Sequence, residues 1–244
     1  MSPSAKICDV ELAFCAMNAA GTWSTTAEEL VALAKSSAGA VVVRSTTLHP
    51  FLHPEFRSLH NPGYDRYLPL LAELATYRKP LVASIAGASV EEYVTLARAF
   101  GEAGAHLIEV NLAEPYVAAT LCPWDDHGEL VRLLAAVRAA AARPILVKCP
   151  ERIPLPLATL RGLLCAAGAD AVVLVNTFAV MEKFLLVPGP GPVVVALGGV
   201  QSGYDLATTL RKGAEAVQLS TALAVEGPSL FARVAREHAA LVGG

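Results

Sequence analysis

The stretch AGADAVVLVN, residues 167–176, decides the fold. Small residues surround Gly168, and an apolar run from Ala171 leads to Asn176 with no polar residue between. A strand that reads as a continuous apolar run is buried on both faces, as strands of a parallel sheet covered by helices must be. The same joint recurs at Ala103-Gly104-Ala105 and at Lys212-Gly213-Ala214-Glu215-Ala216. A glycine there ends the preceding helix in a left-handed turn, and the alanines let the chain tuck under the next strand.

Working outward from that stretch, short β-branched runs alternate with Ala/Leu-rich amphipathic segments. The expected strands are 40–44, 81–85, 106–111, 145–149, 171–176, 193–197 and 216–219. The expected helices lie near 26–37, 90–103, 128–141, 157–167, 203–212 and 229–241. Thr25 or Thr26 can cap the first helix, and Glu28 and Glu29 favour its positive end. Repetition of this βα unit predicts an α/β fold, a (β/α)8 barrel formed by residues 1–244 as a single domain. One unit departs from the pattern. Between Asn176 and Val193 the chain contains Pro188-Gly189-Pro190-Gly191-Pro192, which cannot continue a helix. At most two turns fit around 179–186, so this crossover is expected to be shortened and one side of the barrel thin.

The chain has 244 residues, 54% hydrophobic and 17% charged, enough for a large core. No window of ~18 apolar residues is uninterrupted, which argues against a membrane-spanning helix. The start, Met-Ser-Pro-Ser-Ala-Lys, lacks an apolar signal core, so a cytoplasmic protein is expected. A net charge of −3 without a basic block argues against a nucleic-acid surface. The five cysteines form no CxxC pair and read as reduced thiols. His49, His53 and His60 share one loop with Pro50, Pro54 and Pro62, and no metal site is expected.

Chemistry in such a barrel collects where strands end. Val193–Leu197 runs into Gly198-Gly199-Val200, and Ser202-Gly203 then opens a helix. About twenty residues on, Ser220 and Thr221 end the next strand. Turns after the seventh and eighth strands form the usual phosphate site, from backbone N–H groups and a helix N-terminus. Lys148 closes the apolar run Ile145-Leu146-Val147, where it could stabilise an anionic flavin ring or form a Schiff base. Asn111 and Asn176 end their strands, and paired amides suit an imide or pyrimidine edge. Small residues at Ala19, Ala20 and Gly21 would admit a flat ring, and Ser84 is a minor candidate. The segment Glu109-Val110-Asn111-Leu112-Ala113-Glu114-Pro115 places an amide and a carboxylate together, suited to hold and deprotonate a small polar ligand.

Taken together, these elements resemble the dihydroorotate dehydrogenase family of FMN-dependent barrels, particularly its class 1 members. The resemblance rests on Asn18-Ala19-Ala20-Gly21, Arg44-Ser45-Thr46-Thr47-Leu48, Ser84-Ile85-Ala86-Gly87, Glu109-Val110-Asn111-Leu112, Val147-Lys148-Cys149-Pro150, Val175-Asn176-Thr177, Gly198-Gly199-Val200 and Leu219-Ser220-Thr221-Ala222-Leu223, in that order. It implies FMN as cofactor and a homodimer. It also implies that Ala19, Ala20, Gly21, Ser45, Asn111, Lys148 and Thr177 meet the flavin, and that Gly198, Gly199, Ser220 and Thr221 hold its phosphate. Asn111, Asn176 and Tyr116 would face the substrate. The departures fall on the catalytic side: Arg44 stands for the family's lysine, Glu114 for the cysteine base of class 1, and Tyr116 for a substrate-binding asparagine. Glu114, Lys148 and Arg44 are therefore the expected catalytic group, acting on a C–C bond beside a carbonyl in a small pyrimidine-like substrate. A carboxylate beside an anionic orotate-like ligand would be repulsive, so Glu114 fits a neutral or cationic substrate better than dihydroorotate. Burial would raise the pKa of Glu114 and a nearby Arg44 would lower it. Two other readings stay open: a flavin-free lyase or aldolase using Lys148, and a non-catalytic subunit of the same family.

Overall fold

The computed structural model describes residues 3–52, 60–114, 124, 126–175 and 178–243. The chain opens with a hairpin, β1 (Ala5–Ile7) and β2 (Val10–Leu12), whose Ile7 and Leu12 are fully buried. Hydrogen bonds from Cys15 N to Pro3 O and from Lys6 N to Glu215 Oε1 hold it beneath the barrel, where strands begin. Eight parallel strands follow: β3 (Ala16–Asn18), β4 (Val41–Thr46), β5 (Leu81–Ile85), β6 (Leu107–Asn111), β7 (Ile145–Lys148), β8 (Ala171–Val175), β9 (Val193–Leu197) and β10 (Ala216–Leu219). Their order, β3-β10-β9-β8-β7-β6-β5-β4, is that of a (β/α)8 barrel.

The seam between β3 and β4 is closed by a side chain. Asn18 is fully buried; its Nδ2 donates to Val42 O at 2.7 Å, and its Oδ1 accepts from Val42 N at 2.8 Å. The amide thus replaces one rung of a backbone ladder and satisfies two groups that would otherwise be buried unpaired.

The helices are α1 (Ala27–Lys35), α2 (Leu68–Ala75), α3 (Val90–Glu102), α4 (His127–Ala141), α5 (Leu157–Ala166), α6 (Phe178–Leu185), α7 (Gly203–Arg211), α8 (Thr221–Glu226) and α9 (Ser229–Val242). Thr26 caps α1 in a reciprocal capping box with Glu29, and Ser202 caps α7 with Asp205 in the same way. The joint glycines Gly104, Gly168 and Gly213 have φ of +99°, +72° and +102°, the left-handed turn expected from their sequence. Among the described residues, no helix is long and apolar enough to cross a membrane. The described free cysteines include Cys15 and Cys149, whose thiols burial pushes up to about 12.

The β1–β2 hairpin and α8 are absent from the sequence reading, and three further features differ from it. β3 is only three residues long, too short to register as an apolar run. α2 carries Pro69, which is tolerated in a first turn because the N–H it lacks has no intrahelical partner there. The crossover between β8 and β9 is short, as expected, but the barrel is not thin beside it. Met181 and Phe184 of α6 are fully buried, and the Arg161 guanidinium of α5 lies over the Phe184 ring at 5.4 Å. Arg161 also donates to Phe184 O, Gly189 O and Pro190 O, so the Pro-Gly run is fastened to the neighbouring helix.

Candidate functional site

Parallel strands that close into a barrel bring their C-terminal ends to one rim, and a cavity of about 290 Å³ opens there. That volume is at the lower end of small-molecule sites, which run from ~300 to ~1,000 Å³. Its lining comes from the ends of β3, β4, β6, β7, β8, β9 and β10 or the residues just after them: Ala19, Ala20, Ser45, Asn111, Ala113, Glu114, Lys148, Glu151, Val175, Leu197 and Ser220. Seven residues expected from the sequence therefore share one space. Gly21, Gly198, Gly199 and Thr221 are chain neighbours of lining residues without lining it themselves. Tyr116, Asn176 and Thr177 lie outside the described residues.

Among the residues lining the cavity, Glu114 is the one whose acidity the surroundings shift. Burial pushes its carboxyl above the usual carboxylate range, while the charges of Arg44 and Lys148 pull it down; burial wins. Asn111 Nδ2 approaches Glu114 Oε2 at 3.4 Å and donates to Ser45 Oγ at 2.7 Å, and Asn111 Oδ1 accepts from Ala113 N at 3.0 Å. The amide is thus gripped on both ends. Its backbone carbonyl is held by the hydroxyl of the fully buried Tyr93 at 2.9 Å, which fixes the end of β6. Arg44 does not line the cavity. Its guanidinium donates to Thr25 Oγ1 at 3.3 Å and to His60 O at 3.1 Å, so its charge reaches Glu114 from the side.

A polar layer lies below the cavity inside the barrel. Fully buried Glu109 accepts from Ser84 Oγ at 2.8 Å and from Gln218 Nε2 at 2.6 Å, and Lys148 Nζ stands 3.9 Å from it. Ser84 in turn meets Ser45 at 2.9 Å. The sequence reading gave Glu109 and Gln218 no role. The signal was available: each interrupts an otherwise apolar strand, and Glu109 and Asn111, two residues apart, share the strand face that looks inward. Asn61, whose side chain bonds Ser45 O and Gly63 N, is used to pin its loop to β4. Among the described residues, no three of His, Cys, Asp or Glu converge to hold a metal.

The N-terminus of α7, expected to contribute to anion binding, is already matched by carboxylates. Asp205 Oδ2 accepts from Gln201 N and Ser202 N at 3.0 Å each, and Glu237 Oε2 accepts from Gly203 N at 2.8 Å. The Gly198-Gly199 turn has φ of +98° and +76°, which requires glycine. Ser220 Oγ lies 3.0 Å from Thr22 Oγ1, tying the ends of β10 and β3 together.

The fold and site define a parallel barrel with a polar small-molecule cavity at its C-terminal mouth. The family model described as dihydroorotate dehydrogenase matches residues 57–186, and this chain belongs to that family. It is 28% identical to the catalytic subunit of dihydroorotate dehydrogenase B (NAD(+)) of Methanothermobacter thermautotrophicus, over 94% of this chain and 90% of the relative. It is 30% identical to the dihydroorotate dehydrogenase (fumarate) of Trypanosoma cruzi, over 91% of this chain and 87% of the relative. The fold matches the crystal structure of dihydroorotate dehydrogenase of Eimeria tenella in complex with ferulenol, with a TM-score of 0.81 at 17% identity, covering 98% and 84% of the two chains.

Proposed function

We propose that the protein is an FMN-dependent oxidoreductase of dihydroorotate dehydrogenase type, with Glu114 as its acid–base group and an altered substrate preference. It oxidises or reduces a C–C bond beside a carbonyl in a small pyrimidine-like substrate. The observation that carries this reading is the single cavity that gathers Ala19, Ala20, Ser45, Asn111, Glu114, Lys148 and Ser220 at the barrel mouth.

The residues present fit a flavin. Ala19, Ala20, Val175 and Leu197 give apolar surface for a flat ring, Lys148 gives a donor and Asn111 Oδ1 a second acceptor lone pair for its polar edge, and the Gly198-Gly199 turn with Ser220 and Thr221 suits its phosphate. When bound, FMN supplies the redox group that exchanges a hydride with substrate. Glu114 takes or returns the proton on the carbon next to the carbonyl, and its upward shift brings it closer to the neutral range where a general base works best. Asn111 orients Glu114 and presents an amide edge to the ring. Lys148 places a positive charge where negative charge builds during proton removal. Arg44 limits how far burial can raise Glu114. Tyr116 and Asn176 on the substrate, and Thr177 on the cofactor, complete the proposal.

A cytoplasmic homodimer follows from the family resemblance, and sedimentation at twice the chain mass of 25.5 kDa checks the dimer. The functional test is anaerobic mixing of FMN-loaded protein with 5,6-dihydrouracil and, separately, dihydroorotate. Bleaching of the flavin by a dihydropyrimidine, faster with the uncharged one, supports the reading. A chain that takes up no added FMN overturns it.

A further inference from the structure

Glu109 is a fully buried carboxyl that the proposed chemistry does not use, and its partners come from three other strands. Ser84 on β5 donates to Oε1 at 2.8 Å, Gln218 on β10 donates to Oε2 at 2.6 Å, and Lys148 on β7 stands 3.9 Å from Oε1. Both carboxyl oxygens therefore act as acceptors, toward Ser84 and Gln218. Gln218 donates although its own Oε1 is then buried with no partner among the described residues. The constraint passes outward along the chain of hydroxyls. Ser84 has one hydroxyl hydrogen and gives it to Glu109, so in the 2.9 Å contact between Ser84 and Ser45 the donor is Ser45. Ser45 then has no hydrogen for the cavity that it lines, and Asn111 Nδ2 donates to it at 2.7 Å.

We infer that Glu109 and Ser84 are positioning residues that make Ser45 an acceptor toward the cavity, so that the ligand edge facing Ser45 and Glu114 carries an N–H. The inference rests on the functional reading above and gives it a substrate polarity. Ser45 Oγ and the Glu114 carboxylate both accept, while Lys148 on the same lining donates. That pattern selects an uncharged cyclic amide or imide, with its N–H toward Ser45 and its carbonyl toward Lys148. It rejects the same ring with the nitrogen blocked, because a site built around a hydrogen bond discriminates strongly against an analogue that cannot make it. A pyrimidine and a flavin both carry such an N–H beside a carbonyl, and the test separates the two.

Neutron diffraction from the ligand-free protein reads the hydroxyl directly. Deuterium on Ser45 directed at Ser84 is expected; deuterium directed into the cavity overturns the inference and leaves the proposed function standing. Binding provides the second arm, with uracil against 1,3-dimethyluracil and FMN against N3-methyl-FMN. The wild type is expected to prefer the N–H member of one pair by ~tenfold or more. The pair that responds assigns the edge to substrate or to cofactor. Ser84→Ala removes no charge but releases the Ser45 hydrogen, and should reduce that preference to below about threefold, with Ser84→Thr restoring it. Glu109→Leu removes the acceptor that holds the Ser84 hydrogen and should behave as Ser84→Ala; if it fails to fold, the Ser84 variants decide alone. An unchanged preference in folded Ser84→Ala overturns the inference. A wild type that binds none of the four overturns the functional reading and the inference with it.

Discussion

The wall formed by β3, β9 and β10 presents Ala19, Ala20, Leu197 and Ser220, small or apolar side chains beside backbone that turns sharply at Gly198 and Gly199. The wall formed by β4, β6 and β7 presents Ser45, Asn111, Glu114 and Lys148, and is tied to buried polar groups beneath it. On the first wall, function depends on backbone shape, which glycine and alanine report directly. On the second, each side chain works through its neighbours, so one substitution there changes the chemistry without changing the fold. That difference means the barrel of the family can be kept while the polar wall around Glu114 changes.

The largest expected effect lies on the second wall. Glu114→Gln should lower the rate of flavin bleaching by a dihydropyrimidine ~10²- to 10⁴-fold, the usual contribution of a general base. FMN affinity should stay within about twofold of wild type, the mark of lost proton transfer without lost binding. Equal losses in rate and FMN affinity would break the contrast between the walls.

The next effect falls on the seam where the two walls meet. Asn18→Ala leaves Val42 N and O buried without their partner. At ~1–3 kcal/mol for each of the two unsatisfied groups, urea unfolding should show a loss of about 2–6 kcal/mol. A loss below about 1 kcal/mol would mean that the seam closes by other means.

On the first wall, Gly199→Val forces a β-branched residue to a φ of +76°. Strain of ~1–3 kcal/mol should reshape the turn and weaken FMN binding ~5- to 100-fold, read by fluorescence titration. Bleaching of the FMN that remains bound should keep its rate.

The smallest effect is on stability, and its sign is informative. The folded-state carboxyl of Glu114 is raised by burial, so its contribution to stability is complete below the unfolded carboxylate range and is lost as pH rises through the folded value. Glu114→Gln should therefore melt higher than wild type at pH 8, and the gain should disappear near pH 4. A variant less stable than wild type at pH 8 would show that Arg44 and Lys148 outweigh burial.

Much of the barrel was legible because its signals are local. The apolar run at Ala171–Val175 and the glycine joints at 104, 168 and 213 each carry their meaning within about five residues. β3 and α2 were hidden because three residues make no pattern and Pro69 resembles a loop signal outside its first-turn context. The candidate site was legible at the strand ends, where Asn111, Glu114, Lys148 and Ser220 stand out against apolar neighbours. Glu109 and Gln218 were missed, and Ser84 stood only as a minor candidate, because the partners lie 25 and 109 residues away along the chain. The competition between burial and Arg44 at Glu114 was foreseen, but only the depth of the cavity could decide which prevails.

The central claim is that a flavin site survives beside a changed base, and a spectral titration of purified wild-type protein with FMN tests it most directly. The account predicts saturable binding of one FMN per chain with a shifted flavin spectrum, weakened by Gly199→Val and kept by Glu114→Gln. A spectrum identical to that of free FMN at every concentration would contradict it.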